Sequence, residues 1–307
     1  MTFATIEYVD LPGLARGEGK AVESREMSTY LNSLKNVDAL VQVVRAFEDD
    51  NLPHPEGSID PRRDIGLFEL EMIFSDLGII EKRLERLSKD LKKAKTPELE
   101  LEGTVLERYQ AALEQEQPLR DLTLTEEQHK RVKGFTFLSA KPMLIVVNLG
   151  DRDVAKMPGV VQEFGLERQA AQEHVGITAV CGKIEAEIAA LAEEDARLFM
   201  DDLGLASSGL ARIVQESYSL LGLISFYTAG DPEVRAWTIP RGTTALQAAG
   251  VIHSDFERGF IKAEVVAYDD MVRLGSFATA RNKGVLRLEG KDYVVQEGDV
   301  ILFRFNV

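Results

Sequence analysis

The chain has 307 residues, 45% of them hydrophobic and 28% charged, which is material for two or three packed modules and demands no disorder. A net charge of −15 argues against non-specific nucleic-acid binding by the chain as a whole, and a single cysteine, Cys181, excludes an internal disulfide framework and fits a reducing cytoplasm. The longest apolar runs, residues 142–148 and 219–227, fall well short of the roughly 20 residues a membrane span needs, so neither a membrane segment nor a signal peptide is expected.

The charge is unevenly spread. Residues 1–60 and 136–229 each carry −6, whereas residues 61–135 carry −2 and residues 230–307 carry −1. This pattern reads as one acidic domain split by an insertion and followed by a near-neutral module.

The first element is an apolar run, Ile6-Glu-Tyr-Val, that ends in Asp10-Leu-Pro-Gly13-Leu14. It reads as a strand delivering Asp10 to a turn at the carboxyl edge of a sheet, where doubly wound folds bind ligands. An Asp three residues before a Gly is the DxxG spacing of phosphate-sensing loops, and it is equally an ordinary strand-ending turn. A glycine-containing loop, a helical stretch over residues 24–34 and an apolar run over residues 38–47 follow, giving the strand, helix, strand order of an α/β domain. The polar, Pro-containing residues 48–61 close this half.

From residue 65 to about 116 the period becomes helical. Leu84, Leu87, Leu91 and Ala94 form one stripe, and Lys82, Arg86, Lys89 and Lys93 form a basic stripe on a neighbouring face. Thr96-Pro97 breaks the helix and residues 98–113 supply a return, so an antiparallel helical hairpin is expected. The basic stripe is either a solvated helix flank or a surface for phosphate backbones.

A buried strand over residues 141–151 then ends in Asn148-Leu-Gly-Asp151, and a second over residues 176–183 ends in Cys181-Gly182-Lys183. Helices are expected over residues 158–165, 185–200 and 210–227. The last block reads as strand 234–239, turn 240–242, helix 244–252, strand 260–268, a hairpin of 285–288 with 293–296, and strand 301–305. This is a mixed sheet around one helix, with no cluster of catalytic side chains.

Asp10-Leu-Pro-Gly13-Leu14, Asn148-Leu-Gly-Asp151, Cys181-Gly182-Lys183-Ile184-Glu185 and the tail block together resemble the YchF-type Obg-like ATPases. The likeness spans the chain and is densest over Glu233-Val-Arg-Ala-Trp-Thr-Ile-Pro, over the run from Gln247 through His253 to Val265, and over Leu288-Glu-Gly-Lys-Asp-Tyr293. The resemblance implies an α/β fold: an incomplete Ras-like (TRAFAC) doubly wound nucleotide-binding domain (1–60 and 136–222) with an antiparallel helical-hairpin insertion (61–135), then a ubiquitin-like (β-grasp) TGS domain (223–307). It implies a cytoplasmic, translation-associated ATP- or GTP-binding hydrolase that uses Mg²⁺ and works with the ribosome or ribosomal RNA.

By the same resemblance Asp10 would hold Mg²⁺ through water and Gly13 would offer its N–H to the γ-phosphate. Asn148, Asp151, Cys181, Gly182 and Lys183 would surround the base. Leu14 stands at the usual position of a catalytic Gln and cannot orient water by hydrogen bonding, so the catalytic group is unknown. Asp151 replaces the family's Glu and restores half of a guanine-reading pattern, which leaves adenine against guanine open. Lys82, Arg86, Lys89 and Lys93 are the candidate RNA contacts.

The front of the chain departs from the family. A P-loop needs G-x-x-x-x-G-K-[ST]. The three Gly-Lys pairs, Gly19-Lys20, Gly182-Lys183 and Gly290-Lys291, have Leu14, Ile177 and Val285 where the first Gly belongs, and none precedes Ser or Thr. The expectation is therefore an N-terminally truncated member with crippled nucleotide binding and hydrolysis. The alternative is a non-catalytic ribosome- or RNA-binding protein. In the family's strand order the missing first strand lies beside the one at residues 38–47, which is expected either to close against the DxxG strand or to keep an exposed edge.

Overall fold

The computed structural model describes residues 2, 5–11, 24–230 and 233–306, and these fall into two compact units, residues 10–220 and residues 1–9 with 221–307. In the larger unit three parallel strands, β1 (Leu40–Ala46), β2 (Met143–Leu149) and β3 (Val175–Val180), lie in the order β1-β2-β3. The middle strand is apolar and buried from Met143 to Val147 because both of its faces are covered, as parallel sheets require. On one face Met143, Ile145 and Val147 pack with Leu40, Val44 and Ala179, with Leu31 of α1 (Ser24–Ser33) and with Ile65 and Met72 of α2 (Pro61–Lys93). On the other, Leu144, Val146 and Val180 meet Ile213 and Leu220.

The hairpin forms as its sequence directs. Asp60 caps α2 by accepting from Arg63 N at 3.0 Å, with Pro61 in the first turn, and Thr96 caps α3 (Pro97–Leu113) ahead of Pro97. Helix α2 has 33 residues and so runs roughly 50 Å. Its first half rests on the sheet, and farther along Ile73 and Ile80 pack against Val105, Leu106 and Tyr109 of α3. The short helix α4 (Glu126–Val132), unforeseen in the sequence, leads back to the sheet.

The chain re-enters the sheet through a buried polar knot. Asp76 of α2, fully buried, accepts hydrogen bonds from Leu138 N (3.0 Å), Ser139 N (2.7 Å) and Ser139 Oγ (2.7 Å). Arg120, whose side chain is wholly buried, pairs with Glu69 of α2, and both its N–H (3.0 Å) and its Nη1 (3.3 Å) donate to Ser139 O.

Residues 5–11 have no regular secondary structure, so the strand expected to deliver Asp10 is not formed. A strand needs a neighbour for its N–H and C=O groups. Here Thr2, not residues 6–9, finds one: it pairs with the backbone of Val234 and Ala236 in the smaller unit. Among the described residues β1 is paired on one side only, and Val43 is 64% exposed along it. Of the two arrangements expected for this strand, the open edge is the one observed.

Further differences lie downstream. Residues 151–163 form a 3-10 helix, Asp151–Gly159, and a short α5 (Val160–Glu163), followed by α6 (Glu167–Ala170). The helix expected over 185–200 is two, α7 (Gly182–Ala190) and α8 (Glu193–Asp202), because Leu191 and Ala192 adopt extended conformations between them. The helix expected over 210–227 is α9 (Gly209–Leu220) only. Gly222 turns the chain at φ +61°, and β4 (Leu223–Ala229) takes the β-branched and aromatic remainder.

In the smaller unit five strands stand in the order β5-β4-β8-β6-β7, with β5 at Val234–Pro240, β6 at Phe260–Ala267, β7 at Arg287–Glu289 and β8 at Asp299–Phe305. Strands β4 and β8 are parallel and the rest antiparallel. The sheet wraps α10 (Ala245–Ile252), whose Ala245, Ala248 and Ala249 let it lie close against Phe226, Val265 and Phe303. Residues 293–296, expected as a strand, make only the bridge of Val294 to Thr244. Gly259 is required where it stands, since a Cβ there would come within 2.1 Å of Asn306 O. Among the described residues no helix is long and apolar enough to cross a membrane.

Candidate functional site

Parallel strands run in one direction, so the segments leaving β2 and β3 emerge side by side at one edge of the sheet. Asn148 is in register with Val180, which places Asn148-Leu149-Gly150-Asp151 beside Cys181-Gly182-Lys183. Gly150 fits because a Cβ there would press on Phe47 at 3.2 Å.

Asn148 Oδ1 accepts from Gly182 N at 3.0 Å, in the first turn of α7. This bond sets the amide's orientation and leaves Nδ2 as the donor. Three residues on, Asp151 Oδ2 accepts from Lys183 Nζ at 2.5 Å. Both side chains are largely exposed. The hydrogen bond from Lys183 holds the Asp151 carboxyl below the ordinary aspartate range, and the same bond raises the Lys183 ammonium. Asp151 is thus an acceptor and Lys183 a donor. Cys181 points inward, 1% exposed among Val154, Ile184 and Ile188, so this position contributes backbone and not a thiol. Glu185 steadies the loop by accepting from Gly209 N at 2.7 Å.

Five of the residues picked from the sequence, Asn148, Asp151, Cys181, Gly182 and Lys183, therefore lie on two adjacent strand ends. Asp10 is exposed on an irregular segment, and among the described residues no hydrogen bond or ion pair joins it to them. Gly13 and Leu14 lie outside the described residues. No group of three or more His, Cys, Asp or Glu able to hold a metal ion occurs among the described residues.

The pairing of Asp151 with Lys183 was not legible in the sequence, where the signal was only a carboxylate and an ammonium on separate strand ends whose register the structure sets. Also unforeseen is a groove of 510 Å³ along the open edge of β1, lined among others by Gln42, Val43, His54, Asp64 and Phe68, where His54 Nε2 lies 3.1 Å from Asp64 Oδ2.

On the hairpin, Lys82, Arg86, Lys89 and Lys93 are all exposed, over roughly 16 Å of helix. Lys89 pairs with Glu85 at 2.8 Å, while Lys82, Arg86 and Lys93 make no ion pair among the described residues. Lys92 and Lys95 extend the cationic surface around the tip, Lys95 lying 3.8 Å from Glu100.

A parallel sheet covered on both faces, polar groups converging at its carboxyl edge, a long helical hairpin and a separate mixed sheet around one helix define an α/β protein of the doubly wound class with an inserted arm and a C-terminal sheet module. The family model YchF-GTPase_C, described as a protein of unknown function (DUF933), matches residues 223–306. The chain is 45% identical over 301 residues to the ribosome-binding ATPase YchF of Bacillus subtilis, covering 98% of this chain and 81% of that one. It is 40% identical over 303 residues to that of Haemophilus ducreyi, covering 99% and 82%. A solved structure titled as the YchF GTPase of Schizosaccharomyces pombe superposes with a TM-score of 0.79 at 30% identity, covering 95% of this chain and 77% of that one. The chain belongs to the YchF family.

Proposed function

We propose that this protein binds a purine nucleotide at the carboxyl edge of its parallel sheet and acts with the ribosome, as the names of its relatives say of them. The observation that carries the reading is the locked amide of Asn148, held by Gly182 N at 3.0 Å beside the acceptor Asp151, which together present a donor and an acceptor to a base. Asp10, Gly13 and the loop of Cys181, Gly182 and Lys183 complete the proposed contacts. Magnesium would come with the phosphates of ATP or GTP, and Asp10 would meet it through water.

These 307 residues contain no G-x-x-x-x-G-K-[ST] loop. Four lost phosphate contacts at ~1.5–3 kcal/mol each come to about 6–12 kcal/mol, against the ~8 kcal/mol of a micromolar affinity. The chain acting alone is therefore predicted to bind nucleotide weakly and to hydrolyse it poorly. The test is steady-state ATP and GTP turnover by the purified 307-residue chain at micromolar nucleotide, where the expected result is no turnover above background. Clear turnover would overturn this part of the reading.

A second reading, non-catalytic binding to ribosomal RNA, is favoured by the exposed Lys82, Arg86 and Lys93, which make no ion pair among the described residues of an acidic chain. Converting Lys82, Arg86, Lys89 and Lys93 to Glu is expected to weaken ribosome co-sedimentation and to flatten its dependence on salt, since each phosphate contact releases counterions. Unaltered sedimentation and salt dependence would remove the arm as the contact.

A further inference from the structure

At the amino edge of the parallel sheet, opposite the end that carries Asn148 and Gly182, lies a groove of 780 Å³. It is lined by the base of the hairpin on one side and by residues 171–174, the approach to β3, on the other. Gln172 Nε2 donates to Asp121 Oδ2 at 3.0 Å and ties the two walls together. The volume is that of a small-molecule site.

Tyr109 of α3 lines this groove while only 4% exposed. Its hydroxyl makes no hydrogen bond among the described residues, yet it is not one of the polar atoms sealed from solvent, so its opening is into the groove. Buried hydroxyls are ordinarily paired within the protein, and this one is left for whatever enters. Burial pushes it up to about 12, which keeps it a neutral hydroxyl at ordinary pH.

The carboxylates of Asp121, Glu126 and Glu173 also line the groove, and Arg120 is the one arginine or lysine among its lining residues. That guanidinium is wholly buried and paired with Glu69. Glu126 pairs with Lys130 at 2.6 Å, and Arg108 donates to Thr123 O at 3.1 Å. Glu173 makes no hydrogen bond or ion pair among the described residues, and Asp121 keeps Oδ1 available.

An ammonium carries the opposite charge, and its three N–H donors match one hydroxyl oxygen and two carboxylates. We propose that the groove binds an aliphatic amine, its ammonium held by the Tyr109 hydroxyl, Asp121 and Glu173 and its methylene stem lying on the half-buried Leu122 and Leu124. An anion would face three carboxylates with no free lysine or arginine. A bare divalent ion is the poorer fit, since no group of three or more metal-ligating side chains occurs among the described residues. The site is independent of the proposed base site and of the helical arm. Its ligand chemistry has two sources, a free polyamine or a lysine side chain of a partner protein.

The test is calorimetric titration of the native 307-residue chain with spermidine and, separately, with trilysine, at low salt without divalent ions. Saturable binding of at least one of them is expected. Tyr109→Phe is expected to weaken it roughly tenfold, the size of one hydrogen bond to a charged group, with the unfolding midpoint unchanged because the hydroxyl has no protein partner to lose. Glu173→Gln removes one exposed charge and is expected to weaken binding roughly threefold. Glu194→Gln, an exposed acid of α8 that does not line the groove, is expected to have no effect. Tighter binding of spermidine identifies a free polyamine and tighter binding of trilysine a lysine side chain, and both sustain the site. The proposal is overturned if neither amine binds saturably, or if Tyr109→Phe binds as tightly as the native chain. It is also overturned if Glu194→Gln weakens binding as much as Glu173→Gln, because the net charge of −15 would then be the whole cause.

Discussion

Replacing Asp76 by Ala is expected to destabilise the α/β unit by about 3–5 kcal/mol, read as a lowered urea midpoint with native-like spectra below the transition. Asp76 is fully buried and receives three hydrogen bonds, two of them from the backbone of Leu138 and Ser139. Its removal strands two buried N–H groups, each costing about 1–3 kcal/mol, and opens a void beside them. Asp76→Asn is expected to cost less, because one amide oxygen can still accept while the NH₂ faces a donor.

The same site predicts a pH dependence. Burial pushes the Asp76 carboxyl above the ordinary aspartate range, outweighing the opposing hydrogen bonds from Ser139 and Leu138. The folded state then holds the proton more tightly than the unfolded one. The contribution of this titration is fully present below the ordinary aspartate value and is lost as pH rises through the raised folded value. Stability of the native chain relative to Asp76→Asn should therefore decline across that window. A difference that rises with pH there would contradict the assignment.

Glu69→Ala is expected to cost a similar amount, about 3–5 kcal/mol, because it takes from the buried Arg120 the carboxylate it pairs with directly and leaves only the neighbouring Asp121. The Arg120 side chain has no exposure, its Nε has no partner, and its remaining acceptor is Ser139 O. Burial moves both groups toward neutrality, raising Glu69 and lowering Arg120. An apolar pair, Glu69→Leu with Arg120→Met, is expected to recover most of the loss, since removing both charges also removes their desolvation cost. Failure of the double variant to recover would show that the ion pair itself, and not the stranded charge, sets the energy. Ser139 touches both Asp76 and Arg120, so the effects of Asp76→Ala and Glu69→Ala should fall short of additive in a double-mutant cycle.

The hairpin was legible because its signals are local. The stripe of Leu84, Leu87 and Leu91 and the break at Thr96-Pro97 each act within a few residues, and in the folded chain Leu87 is buried while Ala94, at the helix end, is exposed. The strands β1, β2 and β3 were legible as apolar runs between polar ends. Residues 223–227 misled because Leu-Ile-Ser-Phe-Tyr suits a buried helix as well as a strand, and the choice was made by β5 and β8 on either side. Residues 6–9 misled in the opposite sense: their composition is that of a strand, and the described residues give them no strand to pair with.

By itself the sequence determined the family, the α/β class, the hairpin and the residue types at the two strand ends, because periodicity, caps and motif spacing are properties of neighbours along the chain. Only the tertiary structure decided that Asn148 and Gly182 lock together and that Lys183 takes an oxygen of Asp151. Those facts depend on register between strands dozens of residues apart, and register is set by which hydrophobic faces are buried and which edges find partners.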